Sequence, residues 1–78
     1  MEERKEFEYD KQQLAVLSDN KAISKEFSLV SWQGNKPIYE IRNWIHNENG
    51  EEKAGKGIRL SEEELKVLIT ALNGLELK

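Results

Sequence analysis

Up to Leu60 the chain alternates apolar and polar residues in short runs, punctuated by Asp-Asn, Gly-Asn and Asn-Gly; from Ser61 apolar residues recur every third or fourth position. The first period is that of strands with side chains on alternate faces, the second that of a helix with one apolar stripe. Phe7 and Tyr9 alternate with Glu8 and Asp10, and Leu14 to Leu17 form an apolar run closed by Ser18-Asp19-Asn20. This predicts a first strand with a bend or bulge near Lys11 to Gln13, a helix being the competing reading. Ser18 to Ala22 reads as a loop. Ile23 to Gln33 predicts a second strand, with Phe27 and Leu29 on one face and Val30 and Trp32 on the other. Gln33-Gly34-Asn35-Lys36 is a hairpin signal, since Gly and Asn tolerate positive φ, and Pro37 suits the first position of the next strand.

Pro37 to Ile45 predicts the third strand. Tyr39, Ile41 and Ile45 share one face and read as core; Ile38, Glu40, Arg42 and Trp44 share the other and read as a decorated surface. Asn49-Gly50 is a turn dipeptide, and Lys53 to Leu60 predicts a fourth strand, with Gly55 and Gly57 as bends or points of close approach and Ile58 and Leu60 facing inward. Ser61-Glu62-Glu63-Glu64 matches a capping box, and three glutamates suit the positive end of a helix. Leu65, Leu68, Ile69 and Leu72 supply the apolar stripe and Gly74 a stop, so the helix is expected over 62–73.

Four strands then one helix predict an α+β fold: a four-stranded antiparallel meander followed by a C-terminal helix, β-β-β-β-α, in one domain spanning 1–78. Residues 1–6 are expected to be a solvated start, 7–60 the strands. One helix covers only one face of such a sheet. The other carries Ile38, Trp32 and Trp44, and Leu72, Leu75 and Leu77 add apolar surface, so a homodimer is expected.

The length of 78 residues changes the picture in one respect: a chain this short buries only about 60% of its unfolded surface, and without cysteine it has no disulfide to help. The absence of cysteine suits the cytoplasm. Met1 to Asp10 is charged, so no secretory leader is expected, and no run approaches the ~20 apolar residues of a membrane span. The net charge of −3 argues against nucleic acid at first sight. Its distribution weakens that objection: residues 1–20 hold three basic and six acidic groups, 21–59 seven basic and five acidic, 60–78 two basic and four acidic. A ligand feels charge within a Debye length of about 8 Å, so a modestly basic centre on an acidic body can still act locally.

Candidate chemistry gathers on the third and fourth strands. Arg42 and Trp44 share a face, and Lys53 and Lys56 flank glycines. Cations beside aromatic rings on a pleated surface serve single-stranded nucleic acid, the charges tracking phosphates and the rings stacking on bases. The plainer readings are a core role for Trp32 and Trp44, an Arg42 ion pair with Glu40 or a neighbouring strand, and ordinary surface lysines. Gly55-Lys56-Gly57 lacks the P-loop frame and leads into a strand. His46 is the only histidine and reads as a solvated or turn residue without ligand spacing; Glu51-Glu52 and Glu62 to Glu64 are neighbours in sequence only. No nucleophile and base pair is visible, so neither an enzyme, a metal, a cofactor nor a small-molecule substrate is expected.

Three segments together carry a resemblance: Val30-Ser31-Trp32 before a Gly-Asn turn, Tyr39-Glu40-Ile41-Arg42-Asn43-Trp44, and Gly55-Lys56-Gly57-Ile58-Arg59-Leu60 running into Ser61-Glu62-Glu63-Glu64. From about Phe7 to Leu72 the chain resembles the transcriptional coactivator positive cofactor four (p15) family, and most closely its compact bacterial YdbC-like single-stranded DNA-binding members. The resemblance implies strongly curved sheets, dimerisation partly through the helix, and binding of single-stranded or melted DNA with little sequence preference. Carried over by position, it implies Trp32 and Trp44 as stacking rings and Lys25, Arg42, Lys53 and Lys56 as backbone contacts; the eukaryotic spacing brings Ile45 in as the alternative to Trp44. The chain departs at Ile23, where the bacterial relatives carry an aromatic.

The expected function is therefore sequence-nonspecific single-stranded DNA binding by a homodimer, in transcription regulation or DNA maintenance, with a nucleoid association if the source is bacterial. The alternatives are RNA binding and a protein-interaction module using the same Trp-rich face.

Overall fold

The computed structural model describes residues 8–77; the expected solvated start at 1–6 and the expected strand residue Phe7 lie outside them. Strands β1 (Tyr9–Asp19), β2 (Ile23–Trp32), β3 (Ile38–His46) and β4 (Glu52–Leu60) precede helix α1 (Glu62–Asn73). The strands form one antiparallel sheet in the order β1-β2-β3-β4, open at both edges. The meander and the helix bounds agree with the hydrophobic periods. No helix among the described residues is long and apolar enough to cross a membrane.

Local chemistry sets the turns. Asn20 Oδ1 accepts from the amides of Ala22 and Ile23, both at 3.0 Å, which closes the β1–β2 connection. At the next turn the positive φ values fall on Gln33 (52°) and Gly34 (77°) rather than on Gly34 and Asn35, because the Asn35 amide must turn back to the Trp32 carbonyl at 2.8 Å. The capping box is formed: the Glu64 amide donates to Ser61 Oγ at 3.0 Å and the Ser61 amide to Glu64 Oε1 at 2.9 Å.

Three bulges interrupt the ladder. In β1, Leu14 is extra between Gln13 and Ala15, and Leu17 between Val16 and Ser18, a little further along than the sequence pattern indicated. In β4, Gly55 and Lys56 together stand opposite Asn43. Each extra residue bends its strand and re-aims the side chains beyond it.

Two expectations about packing are corrected. The helix does not cover the sheet. It meets the sheet chiefly at β4 and has no buried residue. The molecule accordingly measures 53 × 30 × 16 Å, with a radius of gyration of 14.7 Å where a compact domain of this length has about 11–12 Å. The faces are also inverted. Tyr39, Ile41, Ile45 and Leu60, expected as core, are only half-buried, and Ile58 is 59% exposed. The supposed decorated surface holds Trp44, Glu40 and Val30 at 0% exposure. Long side chains explain this: Tyr9, Lys11, Trp32 and Arg42 fold flat over their own sheet and close that face without a second layer.

Candidate nucleic-acid interface

Register builds the site. Pairing of Tyr9 with Trp32, Lys11 with Val30, Ser24 with Trp44 and Glu40 with Arg59 puts these side chains on one face. Three rings meet there. Trp32 and Trp44 stack at 6.1 Å between centroids with 10° between planes, and Tyr9 lies 5.3 Å from Trp32 and 5.1 Å from Trp44.

Glu40 is the anchor of one half. This fully buried carboxylate accepts from Trp32 Nε1 at Oε2 and from Arg42 Nε at Oε1, both at 2.7 Å. Arg42 also donates from Nη1 to the Gly55 carbonyl at 2.9 Å, and its guanidinium sits 5.3 Å from the Trp32 ring centroid. The Arg42–Glu40 pair weighed from the sequence thus exists, as a buried pair and not a weak surface one. Gly57 of β4 serves it: a Cβ there would stand 2.8 Å from Cβ and Cγ of Arg42. Gly57 thus makes room for an arginine of the same chain, while a Cβ on Gly55 would crowd the Asn43 carbonyl at 3.2 Å and Ile45 at 3.3 Å; close approach of a ligand backbone is not needed to explain either.

Lys11 anchors the other half. Its ammonium bridges Glu26 at 2.8 Å and Glu52 at 2.9 Å and lies 4.1 Å from the Trp44 ring centroid. Tyr9 donates its hydroxyl to Glu52 at 3.0 Å. Burial, that hydrogen bond and the charges of Glu52 and Glu26 push the Tyr9 hydroxyl from 10.0 up to about 12, so it remains a neutral donor. Ser24 donates to Glu26 at 2.7 Å, and His46 Nε2 lies 2.9 Å from Ser24 Oγ. His46 is therefore half-buried at the end of this polar chain, and the solvated histidine read from the sequence is corrected. Burial alone would raise the Glu26 carboxyl, but hydrogen bonds from Lys11, Ser24 and Gln13 and the Lys11 charge hold it below its usual 4.5.

Beside these clusters runs an open groove of about 1430 Å³, lined among others by Tyr9, Trp32, Arg42, Lys53 and Arg59. Glu8, Asp10, Glu51 and Glu52 also line it, so its charge is mixed. The structure brings Trp32, Arg42 and Lys53 together there. Trp44 lies behind them at 0% exposure, because β1 lays Tyr9 and Lys11 against its ring; the expected exposed ring at this position is thus a floor. Lys25 is exposed but pairs with Asn43 on the opposite face, beside the half-buried Ile45, and Lys56 is exposed in the β4 bulge. Sequence reading missed Tyr9, Lys11 and Arg59 as members of the site. The alternation of Tyr9 and Lys11 was a signal for the first two; for Arg59 only the register across the bulge supplies one.

A four-stranded open sheet with a C-terminal helix, carrying rings and cations side by side on one face, defines a small α+β single-sheet domain. Residues 20–71, from the β1–β2 connection to the last turn of α1, match the family Transcriptional Coactivator p15 (PC4). The chain belongs to this family. No curated protein matches it.

Proposed function

We propose that the chain binds single-stranded DNA in the groove beside Trp32, in a role related to transcription. Family membership supports a DNA-binding role. The observation that carries the finer reading is the Trp32 ring: half-buried, oriented through its N–H by a fully buried carboxylate, and bordering an open groove that also holds Lys53 and two arginines. A ring held in place loses little freedom when a base stacks on it, which is worth about 1–3 kcal/mol per base. In this reading Trp32 stacks, Lys53 and the exposed groove cations meet the backbone, and Trp44 supports Trp32 from behind. Lys25 and Lys56 lie away from Trp32; a strand would meet Lys56 at the β4 edge and Lys25 only after passing to the opposite face.

The reading includes a second copy of the chain. Ile58, Ile69 and Leu72, at 59%, 49% and 54% exposure, and the half-bare face of Tyr39, Ile41 and Ile45 give a homodimer apolar surface to cover. Tryptophan emission during titration with oligothymidine, at low and moderate salt, tests both parts. Saturable quenching that weakens with salt and ends near one strand per two chains is the expected result. An unchanged emission from folded protein would remove the stacking ring. A matched RNA oligomer bound equally well would widen the ligand to single strands of either sugar.

A further inference from the structure

Arg42 and Arg59 flank the same buried carboxylate in different ways. Arg42 is committed: its Nε holds Glu40 at 2.7 Å, its Nη1 holds the Gly55 carbonyl, and its side chain is 15% exposed. To reach a phosphate it would leave the fully buried Glu40 short of its close cation, which is strongly unfavourable. Arg59 stands opposite Glu40 across the β3–β4 ladder, 3.6 Å from Oε2 and beyond hydrogen-bond length, with its side chain 58% exposed. If it swings out, Glu40 keeps both of its short hydrogen bonds, from Trp32 and from Arg42.

We propose that Arg59 is the groove's phosphodiester contact and that Arg42 is a positioning residue for Trp32. The proposal rests on the single-stranded DNA reading. One carboxylate faces two guanidiniums, and Arg42 neutralises it at short range, so the Arg59 charge is the surplus. Its planar fork suits two phosphate oxygens at once. Arg59 and Trp32 border the same groove, so a strand whose phosphate sits on Arg59 has a base within reach of the ring.

The test is the salt dependence of oligothymidine binding, read by fluorescence anisotropy, for the wild-type chain, Arg59→Gln, Arg59→Lys and Arg42→Gln. Arg59→Gln is expected to weaken binding several-fold and to lower the log–log salt slope by about 0.7, the share of one phosphate on a single strand. Arg59→Lys keeps the slope, because the charge remains. Arg42→Gln shifts the tryptophan emission of the free protein and keeps the slope. An unchanged slope in Arg59→Gln, or a slope lowered only by folded Arg42→Gln, overturns the proposal and leaves the DNA reading standing. Absence of binding by the wild-type chain overturns both.

Discussion

The side chain of Arg42 occupies the space that any side chain at Gly57 would need, since a Cβ there would come within 2.8 Å of its Cβ and Cγ and 3.0 Å of the Ile41 carbonyl. Gly57→Ala should therefore force Arg42 off its path to Glu40 and destabilise the domain by about 1–3 kcal/mol, the usual range for overpacking. A urea midpoint that falls at constant slope, with a changed tryptophan emission, is the expected result. Wild-type stability would show that Arg42 moves aside freely and that its hold on Glu40 matters little.

The two tryptophans should respond differently to truncation. Trp44 is fully buried, so Trp44→Ala is expected to cost about 3–5 kcal/mol, a large share of the about 5–15 kcal/mol that holds a domain folded. Trp32 is half-buried at the groove. Trp32→Ala should keep the circular dichroism of the folded chain and lose about 1–3 kcal/mol of oligothymidine affinity. The reverse pattern, a stable Trp44→Ala that no longer binds, would make Trp44 the stacking ring.

Acid should weaken the fold through Glu26. Its carboxyl titrates below its unfolded value of 4.5, so the native state favours the ionised form. The stabilisation is complete above about pH 4.5 and is lost as pH falls through the lower native value. Thermal midpoints measured downward from pH 6 should fall in that window, and Glu26→Gln should flatten the decline while lowering stability at neutral pH. An acid limb identical in both proteins would assign it to other carboxylates.

Assembly can be separated from folding at Leu72, which is 54% exposed in the single chain. Changes at such a surface position move stability by about ±0.5 kcal/mol when nothing covers them. Leu72→Lys should therefore leave the helix content unchanged and shift sedimentation from dimer to monomer. Equal sedimentation of the two proteins, both as monomers, would remove the dimer from the proposed function.

The element order, the helix bounds, the capping box and the Asn49-Gly50 turn were legible in the sequence, because each depends on residues close together in the chain. The periods of two and 3.6 also placed Trp32, Arg42 and Trp44 on one face correctly. Which face is buried was decided only in three dimensions. Alternation divides a strand into two faces and does not say which one long side chains will close. Tyr9 and Lys11 reach Trp44 because β1 pairs with β2 in one register, and Arg59 reaches Glu40 because one extra residue in β4 shifts the ladder. Both are contacts between residues far apart in sequence, and a bulge of one residue turns every side chain beyond it to the other face. The helix position was likewise beyond the sequence: an amphipathic stripe demands an apolar partner, and the chain folds so that its own sheet is not that partner.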